Sequence, residues 1–206
     1  MSTSSSLVQQ VYDITFNDTY HHIITTVTHV PSVADAWIKE IKNFHRSRLH
    51  KLIVGLDIEW CPNNRYSTNP VAILQLCVGK RCLIFQLLYA VSGLPGSVER
   101  FLLEECYTFV GIGIKDDVFK LESDYNWRVS NAVDLRDLAI GRYNEKWLKN
   151  VGLKSLAKEV LGIELEKPKY VARSNWAVPY LSDEQVEYAT VDAFVSFEIG
   201  RILMLD

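Results

Sequence analysis

Asp57 and Glu59 close a near-continuous apolar run, Lys51–Glu59, and stand two residues apart. A strand alternates its side chains with a period of two, so both carboxylates share a face. Two neighbouring acids repel and lose hydration unless a cation lies between them, and a divalent ion fits that need. A strand end emerging into solvent would instead make the pair harmless. Tyr188 and Asp192 stand four apart in a long helical segment and also share a face. For them the alternative is a surface Asp beside a half-buried Tyr. Asp116 and Asp117 follow Gly111-Ile112-Gly113-Ile114 at a strand-to-helix junction. One of these acids is expected to cap the helix and the other to face the site. The glycine pair lacks the third glycine of a dinucleotide fingerprint, and the acid comes too early for a ribose contact, so NAD binding is rejected. All five histidines, His21, His22, His29, His45 and His50, precede the acids. The absence of a nearby imidazole speaks against a Ser-His-Asp triad and a His-rich zinc site. Oxygen-only ligation points to Mg²⁺ or Mn²⁺. The chemistry that suits such ions is phosphodiester hydrolysis with two metals roughly 3.5–4 Å apart.

A nucleic-acid substrate would need cations and rings near those acids. The stretch Lys167–Trp176 supplies Lys169, Arg173, Ser174 and Trp176, and Lys115 lies beside the Asp pair. Cations there would meet phosphates and rings would meet bases. A solvated loop with Trp176 tucked into the core reads equally well. Arg65, Lys120 and Lys154 are weaker candidates for phosphate contacts. The formal net charge is −3 and the pI about 6.0, which excludes wrapping a long duplex by charge alone. Cys61, Cys77, Cys82 and Cys106 form no C-x-x-C pair and read as reduced thiols, as expected in the nucleus or cytoplasm. No apolar run approaches the roughly 18 residues of a membrane span. Met1–Ser6 has no basic start and no apolar stretch, so it reads as a flexible tail, with no secretory signal.

The elements that must hold these residues are legible in pattern. Val11–Phe16 and His21–Val30 read as a hairpin turning at Asn17-Asp18, and Pro31-Ser32 opens a helix. Lys51–Glu59 reads as a central strand, and Val71–Val78 and Arg81–Phe85 as a hairpin turning at Gly79-Lys80. Then follow a helix over Pro95–Cys106, a strand over Tyr107–Ile114, a helix over Asp116–Tyr125 and a short strand over Ala132–Leu135. Lys149–Leu161 reads as a helix, Pro168–Pro179 as a loop, and Ser182–Met204 as a long helix opened by a Ser182/Gln185 capping box. The order implies an α/β fold with a mixed β-sheet flanked by helices on both faces, and it fits a ribonuclease H-like topology with an N-terminal hairpin-and-helix extension. At 206 residues the chain suits a single domain, residues 7–206, after the tail.

Joined, the segments resemble the DEDD exonuclease superfamily, and among its members the exonuclease domain of Werner syndrome-type proteins. Gly55-Leu56-Asp57-Ile58-Glu59-Trp60 with Pro62, Val71–Cys77, Val110–Ile114 with Asp117 and Lys120-Leu121, Gly152–Leu156 with Ser174-Asn175-Trp176, and Tyr188-Ala189-Thr190-Val191-Asp192 match its motifs in order, over about residues 51–204. The resemblance selects Asp117 over Asp116 as the metal ligand. It also implies the tyrosine subtype, because Glu187 stands where the sibling subtype has His. It implies two metal ions held by Asp57, Glu59, Asp117 and Asp192, with Tyr188 orienting the water, and release of 5′-mononucleotides from the 3′ end of DNA or RNA. A ring-shaped homo-oligomer is compatible with it, and so is a catalytically silent binding module on the same fold. No helicase segment is found in these residues, so the expectation is that the domain acts alone or recruits its helpers, and the residues name no protein partner.

Overall fold

The computed structural model describes residues 9–16, 21–63, 65, 68–91 and 93–204. The expected tail and the Asn17-Asp18 turn lie outside the described residues. The strands are β1 (Gln10–Phe16), β2 (His21–Thr28), β3 (Ile53–Glu59), β4 (Ile73–Val78), β5 (Arg81–Gln86), β6 (Thr108–Gly111) and β7 (Ala132–Asp134). They form one mixed sheet in the order β1-β2-β5-β4-β3-β6-β7. The helices are α1 (Pro31–Phe44), α2 (Gly96–Leu102), α3 (Ile114–Tyr125), α4 (Leu135–Tyr143), α5 (Leu153–Leu161), α6 (Lys169–Ala172) and α7 (Asp183–Leu203). No helix among the described residues is long and apolar enough to cross a membrane.

The central strands are apolar on both faces because helices cover both. Leu56, Ile58, Leu74, Leu76, Leu83 and Phe85 are buried in one cluster with Trp37, Ile38 and Ile41 of α1, Phe101 of α2 and Leu121 of α3. The opposite parity carries Asp57, Gln75 and Ile84 and lies under α7. Thr25 of β2 meets Thr190 of α7 there through a buried hydroxyl pair at 2.9 Å. The hairpin β1–β2 adds two strands to the sheet, with β2 pairing parallel to β5 from Ile24↔Arg81 to Thr28↔Phe85. It therefore extends the sheet edge.

Several boundaries differ from the periodicity. Helix α2 stops at Leu102 because Ser130 takes its freed carbonyls, donating from N to Leu102 (3.0 Å) and from Oγ to Leu103 (2.8 Å). Strand β6 ends at Gly111, and Gly113, left-handed at φ 72°, turns the chain into α3. The expected single helix over Lys149–Leu161 divides into a 3₁₀ turn at Lys146–Asn150 and α5. Helix α4 is absent from the sequence reading. Asp134 caps it by accepting from Arg136 N at 2.9 Å. The short α6 interrupts the expected loop, and the Ser182/Gln185 capping box of α7 is formed.

Gly55 sets how closely α7 approaches β3. A Cβ there would lie 2.0 Å from Ala193 O and 2.8 Å from Phe197 N, both backbone atoms. Gly55→Ala must push the helix off the strand, and a destabilisation of about 3 kcal/mol is expected, at the severe end for overpacking. Urea unfolding measures it; a change below about 1 kcal/mol would show that the contact yields cheaply.

Candidate active site

Three elements bring the acids together. Asp57 and Glu59 leave β3 on one face, Asp117 comes from the first turn of α3, and Asp192 descends from α7. Ligand oxygens of Asp57, Glu59 and Asp192 all lie within 4.8 Å of one another. Asp117 stands outside that close triad but is buried beside it, and its charge acts on Glu59. Asp57 Oδ1 accepts from Ile58 N at 3.0 Å, which fixes one edge of that carboxylate.

Electrostatics follows from crowding these groups in a poorly hydrated space. Burial, then the Asp192 charge, pushes Asp57 up to about 7. Burial, then Asp57 and Asp192, pushes Glu59 up to about 10. Burial, then Asp57, pushes Asp117 up to about 8. Burial also raises Asp192, against the pull of a cation, Lys167, whose Nζ lies 2.5 Å from Asp192 Oδ2. The same ammonium stands 5.1 Å over the Tyr188 ring. Burial alone would lower the Lys167 pKa, but Asp192 outweighs it and carries it upward, so the charge persists. Burial, followed by the Asp192 charge, raises the Tyr188 pKa well above 10. Tyr188 thus stays protonated and serves as a donor.

Lys167 was named in sequence only as the start of a basic stretch. Its link to Asp192 bridges elements remote along the chain, and no periodicity connects them. The Asp116 cap expected on motif register is not formed: the cap of α3 is Gly113, whose N–H donates to Asp134 Oδ2 at 2.9 Å, and Asp116 is exposed in the first turn. A positive-φ glycine leaves the side-chain cap no place there.

The expected substrate residues divide. Lys169 and Arg173 are exposed on and just after α6. Ser174 Oγ accepts from Gln185 Nε2 at 2.8 Å and so ties the loop to α7. Trp176 is corrected as a base-stacking residue. It is fully buried, its Nε1 donates to Ala172 O at 3.3 Å, and its ring lies 6.0 Å from that of Tyr188. Apolar burial under α7 wins over exposure, and Trp176 backs the tyrosine. The exposed ring in this stretch is Tyr170. Lys115 is exposed, 3.8 Å from Asp137. Lys120 is engaged, donating to Asn69 O at 2.7 Å and pairing with Asp124 at 3.0 Å. Beside the acids lies a groove of about 690 Å³ lined by residues including Phe16, Leu165, Pro168, Tyr170, Tyr188 and Asp192. The contribution of Phe16 shows that the N-terminal hairpin reaches the site, which no motif in residues 7–50 announced.

A family model described as "3′-5′ exonuclease" matches residues 26–206. The chain is 36% identical over 155 residues to a 3′-5′ exonuclease of Arabidopsis thaliana, covering 73% of this chain and 52% of that protein. It is 32% identical over 155 residues to the bifunctional 3′-5′ exonuclease/ATP-dependent helicase WRN of Mus musculus, covering 73% of this chain and 11% of that protein. The chain thus spans about half or less of these relatives' length. The crystal structure of the EXD2 exonuclease domain is similar at 27% identity and a TM-score of 0.53, covering 87% of this chain and 88% of that one. That domain has also been solved soaked in Mn and Mg. The catalytic core of RRP6 from Trypanosoma brucei shares the fold at 17% identity, with a TM-score of 0.71 over 96% of this chain and 50% of that one.

Proposed function

The chain belongs to the 3′-5′ exonuclease family, and from that premise we propose that it hydrolyses the terminal phosphodiester at the 3′ end of a DNA or RNA strand and releases 5′-mononucleotides. The observation that carries this reading is the convergence of Asp57, Glu59 and Asp192 within 4.8 Å, with Asp117 alongside. The donor set is hard oxygen only, each acid is held above its ordinary pKa by burial, and Asp57, Glu59 and Asp117 are raised further by neighbouring acids, so a divalent cation fits. Mg²⁺ or Mn²⁺ would be held by Asp57, Glu59 and Asp192, with Asp57 and Asp117 serving a second ion. When bound, the ions would supply an activated water and charge neutralisation at the leaving oxygen.

The chain's own groups do the rest. Tyr188 stands one turn before Asp192 on α7 and lines the same groove beside the acids. A protonated phenol there can orient the attacking water and the scissile phosphate, but it cannot take the proton. Lys167, charged and half-buried beside Asp192, suits a phosphate oxygen. Lys169, Arg173 and Tyr170 form an exposed flank on which a single strand would lie. The Tyr188 subtype assignment belongs to this proposal, as does an intracellular setting, which four free cysteines support. A catalytically silent module gains no support from a site whose four acids and tyrosine all converge.

The test is degradation of matched labelled DNA and RNA, single- and double-stranded, with Mg²⁺, Mn²⁺ or EDTA. A 5′-labelled strand should shorten stepwise from its 3′ end, and EDTA should stop it. Absence of mononucleotides from every strand would sink the reading, and internal cuts would make the enzyme an endonuclease. For Tyr188→Phe, kcat should fall about 10²-fold, the usual loss of one transition-state donor. Mn²⁺ affinity by calorimetry should stay unchanged; unaltered turnover would remove Tyr188 from the mechanism.

A further inference from the structure

Gln75 sits at the centre of β4 between fully buried Leu74 and Leu76, and its own exposure is 0%. Neither its Nε2 nor its Oε1 has a hydrogen-bond partner. Polar side chains so deeply buried are nearly always paired, so an orphaned amide calls for an explanation. Register supplies one. Gln75 is the antiparallel partner of Asp57 on β3 and of Ile84 on β5. Residues directly opposite in an antiparallel pair project to the same face with Cβ atoms about 4.5–5.5 Å apart. The Gln75 side chain therefore leaves the sheet beside that of Asp57, on the face under α7. Ile84 on its other side is apolar and offers it nothing. One Asp57 oxygen is already fixed by Ile58 N, and the rest of the carboxylate faces the acid cluster.

We propose that Gln75 is a positioning residue for Asp57: its Nε2 would donate to the Asp57 carboxylate in the cation-loaded site and hold that carboxylate in the orientation it needs as a ligand. A neutral amide suits this task. It supplies a donor against a carboxylate without adding a positive charge that would compete with the metal, as a Lys or Arg at this place would. Ligating carboxylates are commonly held by a hydrogen bond from behind, and loss of that partner weakens metal binding or activity about 10–100-fold. The inference rests on the cation-binding reading of the acids.

The experiment compares wild type with Gln75→Leu and Gln75→Met, two apolar replacements of similar size. It reads the thermal midpoint of the metal-free protein, Mn²⁺ affinity by calorimetry, and kcat and KM on a 3′-labelled single strand. The expected result is a midpoint equal to or above wild type, since a buried unpaired amide is replaced by an apolar group. Mn²⁺ affinity and kcat should each fall at least about 10-fold, with KM within twofold. A merely structural glutamine would give another pattern. Lowered midpoints with unchanged Mn²⁺ affinity would overturn the proposal, and so would folded variants that bind Mn²⁺ and turn over like wild type. If wild type itself binds no Mn²⁺, the cation reading of the acids falls and the role of Gln75 falls with it. If wild type binds Mn²⁺ but releases no nucleotide, the affinity comparison still decides Gln75 alone.

Discussion

Asp57→Asn should abolish nucleotide release, by at least about 10³-fold or about 4 kcal/mol of barrier, while the metal-free protein becomes no less stable. The two effects have one cause. Asp57 lies at the centre of the cluster, within 4.8 Å of Glu59 and Asp192 and within the electrostatic reach of Asp117. In the proposed site it would serve both cations, so its removal would damage both. In the absence of metal the same placement makes it a source of repulsion, and Asn keeps the shape and removes the charge. Each kcal/mol of relieved repulsion should raise the thermal midpoint by about 2–4 °C at this chain length. Asp192→Asn should be just as inactive but behave oppositely in stability. It would strip Lys167, a half-buried ammonium, of the carboxylate 2.5 Å away. Calorimetric melting in EDTA separates the two variants. If Asp57→Asn and Asp192→Asn lower the midpoint equally, the assignment of repulsion to one acid and ion pairing to the other is wrong.

That contrast also marks what the sequence could and could not reveal. The acids were legible because strand and helix periods translate spacing into a shared face. Asp57 with Glu59 and Tyr188 with Asp192 each required only one element. Choosing Asp117 over Asp116 required motif register, since a helix start with two adjacent acids is locally ambiguous. The cap itself was misread, because a left-handed glycine can turn a strand into a helix without any side chain. Lys167 and Phe16 were not seen as site residues, since their contacts to α7 depend on tertiary packing that no local period encodes. Trp176 was left open between stacking and core, and only packing decides that: with the segment tied through Ser174 to Gln185, the indole has no path outward. The central strands were clear because burial on both faces gives continuous apolar runs. Helix α4 was not, since a nine-residue helix with a weak apolar stripe announces itself only through its Asp134 cap.

The strongest linkage expected of this protein joins protons, metal and folding. In the folded metal-free protein Asp57 titrates near about 7, Asp117 near about 8 and Glu59 near about 10, against ordinary values of 3.8 for Asp and 4.5 for Glu. A folded-state value above the unfolded one means that the native protein holds more protons across that interval. The stability linked to those protons is fully present below about pH 4 and is lost as pH rises through the folded values. The midpoint of the metal-free protein should therefore fall from pH 6 to pH 9 on account of these groups, while Lys167 remains charged throughout. Divalent cations do the work of the protons. At pH 8, Mn²⁺ at 100 times its Kd should add about 2.7 kcal/mol, or about 5–10 °C at about 2–4 °C per kcal/mol, and the downward slope should flatten. Binding must also release protons, so apparent Mn²⁺ affinity should weaken as pH drops from 8 to 6. Calorimetric titration in two buffers of different ionisation enthalpy reads that release directly. A metal-free midpoint that climbs over this range, together with Mn²⁺ binding that releases no protons, would mean that the four carboxylates are already ionised and hydrated, and the physical argument for a cation between them would be lost.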